Sequence, residues 1–494
     1  MWWRLVDQCD SIFICGVSNC AFHRGERVSN ITTKSLIGSS IYRLQEYFLR
    51  RPTFTYLREL ERSQWLSRQE IEQLQMQKLQ RLLGVAEQHC PWHAKRIETA
   101  GLDLSQPLAL ADFQKLSTMD KAEASANRDQ LIWRDAPGGA FRYNTGGSSG
   151  NPLIFYYGRQ RQASDAAGRM RARRWWGVEP GEREVYLWGA PVELNKTDRI
   201  KTFRDRLVNQ LVLNAFNMSP MQMDVYTQAI QSWQPRCIYG YASSVALLAA
   251  HAKDRNVRFK LPKLLVVCTT GEPLLPHQRS LIQDVFGVPV ANEYGSRDIG
   301  FTAHETPHGQ MLLLSESIIL EVLDAQSRPV KSGEVGEAVM TGLCSEVQPF
   351  IRYRTGDMVR LGEESCREGR GLHVISEVVG RSTDFLVKND GTIMHALAGI
   401  YVLRAIEGMA EFKLIQHGLR DLEVLVVPNM MWHEDAKRKI QIGLKERMGE
   451  DVDIRIQLVE NIEPELSGKH RYVVSHVQLT GGLGIATSAG AENR

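Results

Sequence analysis

Between residues 184 and 295, short apolar runs rich in β-branched and aromatic residues alternate with helical ones. EVYLWGA (184–190), RCIYGYA (236–242), KLLVVCTTG (263–271) and VPVANEYG (288–295) have the length and composition of strands, and each ends on glycine or a small residue. ALLAAHAKDR (246–255) and PHQRSLIQDVF (276–286) lie between them and have helical spacing. The stretch therefore predicts an α/β domain whose site lies in the loops that follow the strands. LLLSESIILEVLD (312–324) and EAVMTGL (337–343) have no helix between them and predict antiparallel sheet.

Upstream, leucines and isoleucines recur at helical spacing from Ile41 to Leu83. Downstream, FLVKNDGTIMHA reads as strand, Asn-Asp-Gly turn, strand. A short helix (397–408), strands EFKLIQHG and LEVLVVP, a helix (433–448) and the strand VDIRIQLVE complete a compact α+β unit. The expected organisation is a weakly ordered extension (1–35), a large α/β domain (36–379), a small C-terminal α+β lid domain (380–478) and a Gly/Ala/Ser-rich flexible tail (479–494). A chain of 494 residues is too long for one ordinary core, in keeping with that division.

Sixty basic residues against 57 acidic ones leave +3, which argues against a dedicated nucleic-acid binder. Eight cysteines in so long a chain read as reduced, mostly buried thiols rather than a disulfide framework. There is no run of eighteen apolar residues and no secretory h-region, so a cytoplasmic protein without a membrane span is expected. A homodimer is the one self-association considered, and composition does not bear on it.

YNTGGSSGNPLIFYYG (143–158) brings four glycines and several hydroxyls together. Asn151 and Pro152 follow Gly150, where a Walker A loop would place Lys and Ser/Thr, so this is not an ordinary P-loop. Glycine amides and the hydroxyls of Thr145, Ser148 and Ser149 still suit an anion. Read alone, the composition favours a flexible Gly/Ser turn, because such turns are common. Four more segments bear on the choice: NEYGSRDIG (292–300), RYRTGDMV (352–359), GRSTDFLV (380–387) and ELSGKHRYV (465–473).

In this order the segments resemble the motifs of the adenylate-forming superfamily, and most nearly its phenylacetate–CoA ligase group, which includes adenylating proteins of polysaccharide gene clusters. CPWHAKRIETAGLD (90–103), with Lys121 beyond it, and GVEPGEREV (177–185) resemble that group's upstream segments. The resemblance implies ATP-dependent activation of a carboxylic acid as an acyl-adenylate, with Mg²⁺, followed by thioester formation, with CoA as probable co-substrate. A carrier protein, an amine or a sugar is the alternative acceptor, and a catalytically degenerate nucleotide-binding scaffold the alternative class.

Carried over residue by residue, the resemblance places Thr145, Gly146, Gly147, Ser148, Ser149 and Gly150 on the β- and γ-phosphates. It sets Gly271, Glu272, Pro273, Tyr294 and Gly295 beside the adenine, with Asp357 on the ribose and Arg381 near ribose or phosphates. Asp298 stands where many relatives carry a Mg²⁺-associated Glu, and a shorter arm reaches such an ion through water. Lys469 matches the catalytic lysine between substrate carboxylate and α-phosphate. Tyr239, Tyr241 and Ser243, joined by the Trp188 stretch, fall in the acyl-pocket region, and Thr383 and Asp384 in the hinge. Thr383 departs from the pattern, since relatives carry Asp or Lys there. The plain alternatives are a strand-core tyrosine for Tyr294, surface ion pairs for Asp357 and Arg381, and an exposed loop for Lys469.

Two further features are read conservatively. Around Cys366 one thiol remains where some relatives carry Cys-x-Cys-Gly-Arg, and with His304, His308 and Cys344 it does not assemble four ligands, so no structural zinc is expected. GRMRARRWW (168–176) is read as a solvated basic helix face with a packed tryptophan edge.

Overall fold

A computed structural model describes residues 33–477 apart from 145–152, 189–204, 216–217, 325, 363, 382–384, 390–392, 396–398, 400–401, 404 and 463–471. The expected extension and tail thus lie almost wholly outside the described residues, and so do Lys469 and its loop and positions 397, 398, 400, 401 and 404 of the expected 397–408 helix. No helix among the described residues is long and apolar enough to cross a membrane.

Three helices, Thr33–Phe48, Thr53–Ser63 and Arg68–His89, account for the helical signal upstream. The third starts on a capping box: Ser67 accepts from the Glu70 amide, and the Glu70 carboxylate accepts from the Ser67 amide. Its buried Ile71, Leu79, Leu82, Leu83 and Ala86 recur at helical spacing and form one face.

The centre is an eleven-stranded mixed sheet. One half is parallel, in the spatial order Val290–Ser296, Val266–Thr270, Cys237–Tyr241, Glu184–Trp188, Gln210–Asn214. Helices Ala242–Asp254 and Pro276–Phe286 supply two of the crossovers, where the alternation predicts them. The register sets Tyr241 opposite Thr270 and Thr270 opposite Glu293, so three strands end side by side. From Val290–Ser296 outward, the remaining strands run antiparallel through Gly300–Glu305, Met311–Leu313, Val374–Arg381, Tyr353–Leu361 and Val335–Gly342 to Ile318–Leu323. The 312–324 run is two strands in the structure, broken between Leu313 and Ile318.

The helix Arg159–Trp175 overturns the reading of 168–176 as a solvated face. Arg161, Arg171 and Arg173 are buried. Arg171 meets Glu316 at 2.5 Å, Arg173 pairs with Glu184, and Arg169 reaches Glu293 at 3.4 Å. Small residues cause this. A Cβ at Gly168 would lie 2.8 Å from Phe301 and 2.9 Å from Leu314, so glycine lets the helix sink onto the Gly300–Glu305 strand. The long arginines are then enclosed and must find carboxylates, because an unpaired buried charge is too costly.

The C-terminal unit is a separate α+β domain. Strands Asp453–Leu458, Asp421–Pro428, Met409–Gly418 and Val473–Ser475 form its sheet in that order. The last strand falls just beyond the lysine loop, where the sequence reading places no strand, and it is only three residues long. Helix Asp435–Met448 buries Ile440 and Leu444 against Leu414, Val424 and Val426. Phe385–Val387 and Ile393–His395 form the expected hairpin. Buried Gln416 clips it on: its amide nitrogen donates to the Val387 carbonyl at 2.7 Å, and its oxygen accepts from the Val387 amide at 2.9 Å.

His93, in the helix Pro91–Thr99, is fully buried. Arg96 donates to its Nδ1 at 3.0 Å, so its Nε2 carries the proton and donates to the Pro349 carbonyl at 2.9 Å. Burial, then the Arg96 charge, pushes the imidazole down to about 3. Below the ordinary histidine value the unfolded chain therefore takes up a proton that the native chain refuses, and stability falls with pH. Urea unfolding of the wild type should lose about 1.4 kcal/mol per pH unit from this residue below pH ~6.5. His93→Gln should show a shallower loss between pH ~6.5 and ~5; equal slopes would remove His93 as the cause.

Candidate active site

The expected site residues are carried mainly by the three adjacent strand ends and the turns beyond them. Cys237–Tyr241 runs directly into helix Ala242–Asp254, and Val266–Thr270 is followed by Gly271 and Glu272. One Glu272 carboxylate oxygen accepts from the Ser243 amide at 2.9 Å, joining these two crossovers, and its other oxygen has no hydrogen-bond partner among the described residues. Pro273 is exposed beside it.

Tyr294 and Asp357 come into contact across strands that are far apart in sequence. The Tyr294 hydroxyl donates to Asp357 at 2.8 Å. Asp357 is buried, on the strand Tyr353–Leu361, and faces Arg381 across the antiparallel ladder. The expected adenine, ribose and phosphate-edge positions are therefore neighbours. Gly295 lies at the bulge where Val290–Ser296 meets Gly300–Glu305.

Asp298 occupies the turn between those two strands. One carboxylate oxygen accepts from the Tyr353 hydroxyl at 2.9 Å and the other from the Ile299 amide at 3.2 Å. A carboxylate oxygen has two lone pairs, so each retains one for a further contact. This turn is braced from below by the arginine helix. Arg161 donates to the Arg297 carbonyl at 2.6 Å, and Asp165 accepts from the Phe301 amide at 3.2 Å. Gly300 has φ +107°, and a Cβ there would lie 2.3 Å from the Asp165 carboxylate, so only glycine fits.

On the neighbouring strand Tyr239 and Tyr241 both stack against Trp188, with ring centroids 5.6 and 4.5 Å away. The Tyr239 hydroxyl donates to Glu293 at 2.7 Å, and Thr270 donates to the same oxygen at 3.2 Å. Burial pushes the Glu293 carboxyl up, but Arg169, His304, Tyr239 and Arg173 outweigh it and hold it below the usual carboxylate range. Burial raises the Tyr239 phenol well above its ordinary value, so it stays protonated and donates. Glu293, Arg169, Tyr353, Arg161 and Asp165 escape the sequence reading. Glu293 and Tyr353 stand inside segments quoted for other residues, whereas the arginine helix gives no local sign that its charges turn inward.

Thr145 to Gly150, Thr383, Asp384 and Lys469 lie outside the described residues, as does the side chain of Arg381. The strands flanking the first of these, Phe141–Asn144 and Ile154–Tyr157, pair antiparallel. The residues weighed as zinc ligands have separate partners: His304 donates to the Glu305 carbonyl, Cys344 contacts Ser317, and His308 faces Glu368. Among the described residues no group of three metal-binding side chains gathers.

Residues 386–476 match the CapK C-terminal domain family. Over 413 residues the chain is 21% identical to Protein CapK of Staphylococcus aureus, spanning 83% of this chain and 90% of that one. It is 24% identical over 336 residues to the phenylacetate-coenzyme A ligase of Thermus thermophilus, spanning 65% of this chain and 73% of that one. Among solved structures it shares its fold with 2-hydroxyisobutyryl-CoA ligase in the postadenylation state in complex with R3-HIB-AMP. The TM-score is 0.64 at 20% identity, over 81% of this chain and 88% of that one. The mixed sheet and the separate α+β domain have the fold of the adenylate-forming ligases. In sequence the chain is similar both to phenylacetate–CoA ligases and to CapK.

If the brace holds the 297–301 turn, Asp165→Ala should cost about 1–3 kcal/mol in urea unfolding, the range for orphaning a buried donor. The Phe301 amide should also exchange hydrogen faster than in the wild type. Unchanged exchange at Phe301 would mean that the turn is held from elsewhere.

Proposed function

We propose that the chain activates a carboxylic acid with ATP, forming an acyl-adenylate and pyrophosphate, and then passes the acyl group to the thiol of CoA. The observation that carries this reading is the Tyr294–Asp357 pair beside the strand ends, which sets an aromatic ring next to a carboxylate that would take the ribose hydroxyls. Relatives named as CoA ligases, one of them solved with an acyl-adenylate, support it.

In the first step a carboxylate oxygen attacks the α-phosphorus, the bond to the bridging oxygen breaks and pyrophosphate leaves. Two anions must approach one another, so preorganised donors and cations dominate the catalysis. Thr145 to Gly150 would hold the β- and γ-phosphates, and the Tyr294 ring would lie on the adenine. Asp357 would accept from the ribose hydroxyls, with Arg381 near the same edge. Lys469 would sit between the substrate carboxylate and the α-phosphate as a mobile point charge. Asp298 fits a Mg²⁺ ion, since both its oxygens keep a lone pair and Mg²⁺ commonly takes one or two carboxylates plus substrate phosphates. Such an ion would neutralise charge on the departing pyrophosphate. In the second step the sulfur attacks the acyl carbon and AMP leaves. Thr383 and Asp384 would form the hinge for the C-terminal domain between the steps, and Trp188, Tyr239, Tyr241 and Ser243 the acyl pocket.

A second reading keeps the first step and changes the acceptor to a carrier-protein thiol, an amine or a sugar. The match of the C-terminal domain to the CapK family favours it, because that domain would present the acceptor.

Pyrophosphate release should depend on ATP, on Mg²⁺ and on one class of acid when aryl, fatty and hydroxy acids are compared. Stimulation by CoA supports the ligase; release that CoA leaves unchanged supports another acceptor. Lys469→Ala should lower release roughly 10²–10³-fold, the scale of losing one preorganised donor. ATP binding without release across the whole panel would instead indicate a nucleotide-binding scaffold.

A further inference from the structure

Away from the strand ends, the first two helices and the end of the arginine helix surround a cavity of about 250 Å³. Phe54 and Leu57 are its apolar lining, with Arg43, Arg58, Arg62 and Arg174 around them and Glu61 as the one carboxylate among the lining residues. Glu61 pairs with Arg174 at 3.1 Å, and Arg174 also meets Glu179 at 2.9 Å. Arg43, Arg58 and Arg62 have no carboxylate partner among the described residues. Arg58 donates to the Thr55 hydroxyl at 3.3 Å, and the Arg43 guanidinium lies 4.2 Å from the Phe54 ring centroid. Burial, then the charges of Arg174 and Arg58, pull the Arg43 guanidinium below its ordinary value. Like charges brought this close are a standing cost that an anion would remove. The planar guanidinium fork matches phosphate oxygens bidentately.

We propose that this cavity is a second anion site, taking a small ligand with a phosphate or pyrophosphate group: its charge lies on Arg43, Arg58 and Arg62, and its apolar part on Phe54 and Leu57. The site is distinct from the adenylation cleft. Arg174 and Arg161, at opposite ends of one helix, are separated by about 20 Å at 1.5 Å per residue. The proposal does not rest on the adenylation chemistry.

The test is titration calorimetry with inorganic pyrophosphate in about 150 mM salt, where exposed charges act over only about 8 Å. Wild type, Arg43→Gln/Arg58→Gln and Glu61→Gln are compared, so pyrophosphate held elsewhere on the chain is common to all three. Arg43 and Arg58 are exposed, and unchanged thermal unfolding would confirm that the double variant is folded. The double variant should lose one class of binding, weakened tenfold or more, and Glu61→Gln, which frees Arg174, should tighten it. Identical isotherms for all three proteins overturn the proposal. ADP in parallel separates the sources: if it binds this class more tightly than pyrophosphate does, the ligand is a nucleotide, and equal binding points to an inorganic or otherwise small phosphate.

Discussion

Arg171 and Glu316 are each about 1% exposed and lie 2.5 Å apart, in a layer that water does not reach. Arg173 with Glu184 and Arg169 with Glu293 extend the same arrangement along one helix. Their carboxylates come from three places: a strand of the parallel half, the strand that ends at the site, and the break between two antiparallel strands. The helix Arg159–Trp175 thus ties both halves of the sheet together. Removing either member of such a pair strands a buried charge at a cost of about 3–5 kcal/mol, so the helix has little freedom to shift. The site inherits that rigidity, because the same helix supplies Arg161 and Asp165 beneath the Asp298 turn.

This geometry explains how a site spread over more than a hundred residues of sequence becomes one place. Parallel strands in register bring Tyr241, Thr270 and Glu293 level. The antiparallel half then folds back to set Asp357 against Tyr294 and Tyr353 against Asp298. Two tyrosine–carboxylate pairs of the same kind result, and in each the phenol fixes one carboxylate in place. A phenol is suited to this, since its O–H donates one hydrogen bond and brings no charge of its own. The neighbouring Glu293 is bound differently. Arg169 and the Tyr239 phenol claim it, so it anchors the Tyr239 ring that stacks on Trp188.

Much of the α/β framework was legible because its signal is local. The strand runs 184–190, 236–242, 263–271 and 288–295 and the helices between them follow from composition and period, and the structure shows each of them. The hairpin around Asn389 was legible for the same reason: its turn chemistry is written in adjacent residues. The final strand Val473–Ser475 was not, since three residues carry no period of their own and pair only because Met409–Gly418 offers an edge. Within the site, Tyr294, Asp298 and Asp357 stood out through ordered motifs, yet their partners Tyr353 and Glu293 did not. A residue whose task is to hold another has no chemistry of its own to mark it.

The misread segment was GRMRARRWW. By composition a run of arginines belongs in water, and nothing local contradicts this. What sinks them is Gly168 against Phe301 and Leu314, together with carboxylates supplied from 11 to 145 residues away. By itself, then, the sequence determined the order of strands and helices, the division into a large and a small domain, and the kinds of residue at the strand ends, because propensity, period and turn chemistry act over a few neighbours. Which charges are buried, which tyrosine meets which aspartate, and where several arginines converge around one carboxylate were decided by the tertiary structure alone. Those outcomes depend on burial and on distances between segments remote in sequence, and no local rule contains them.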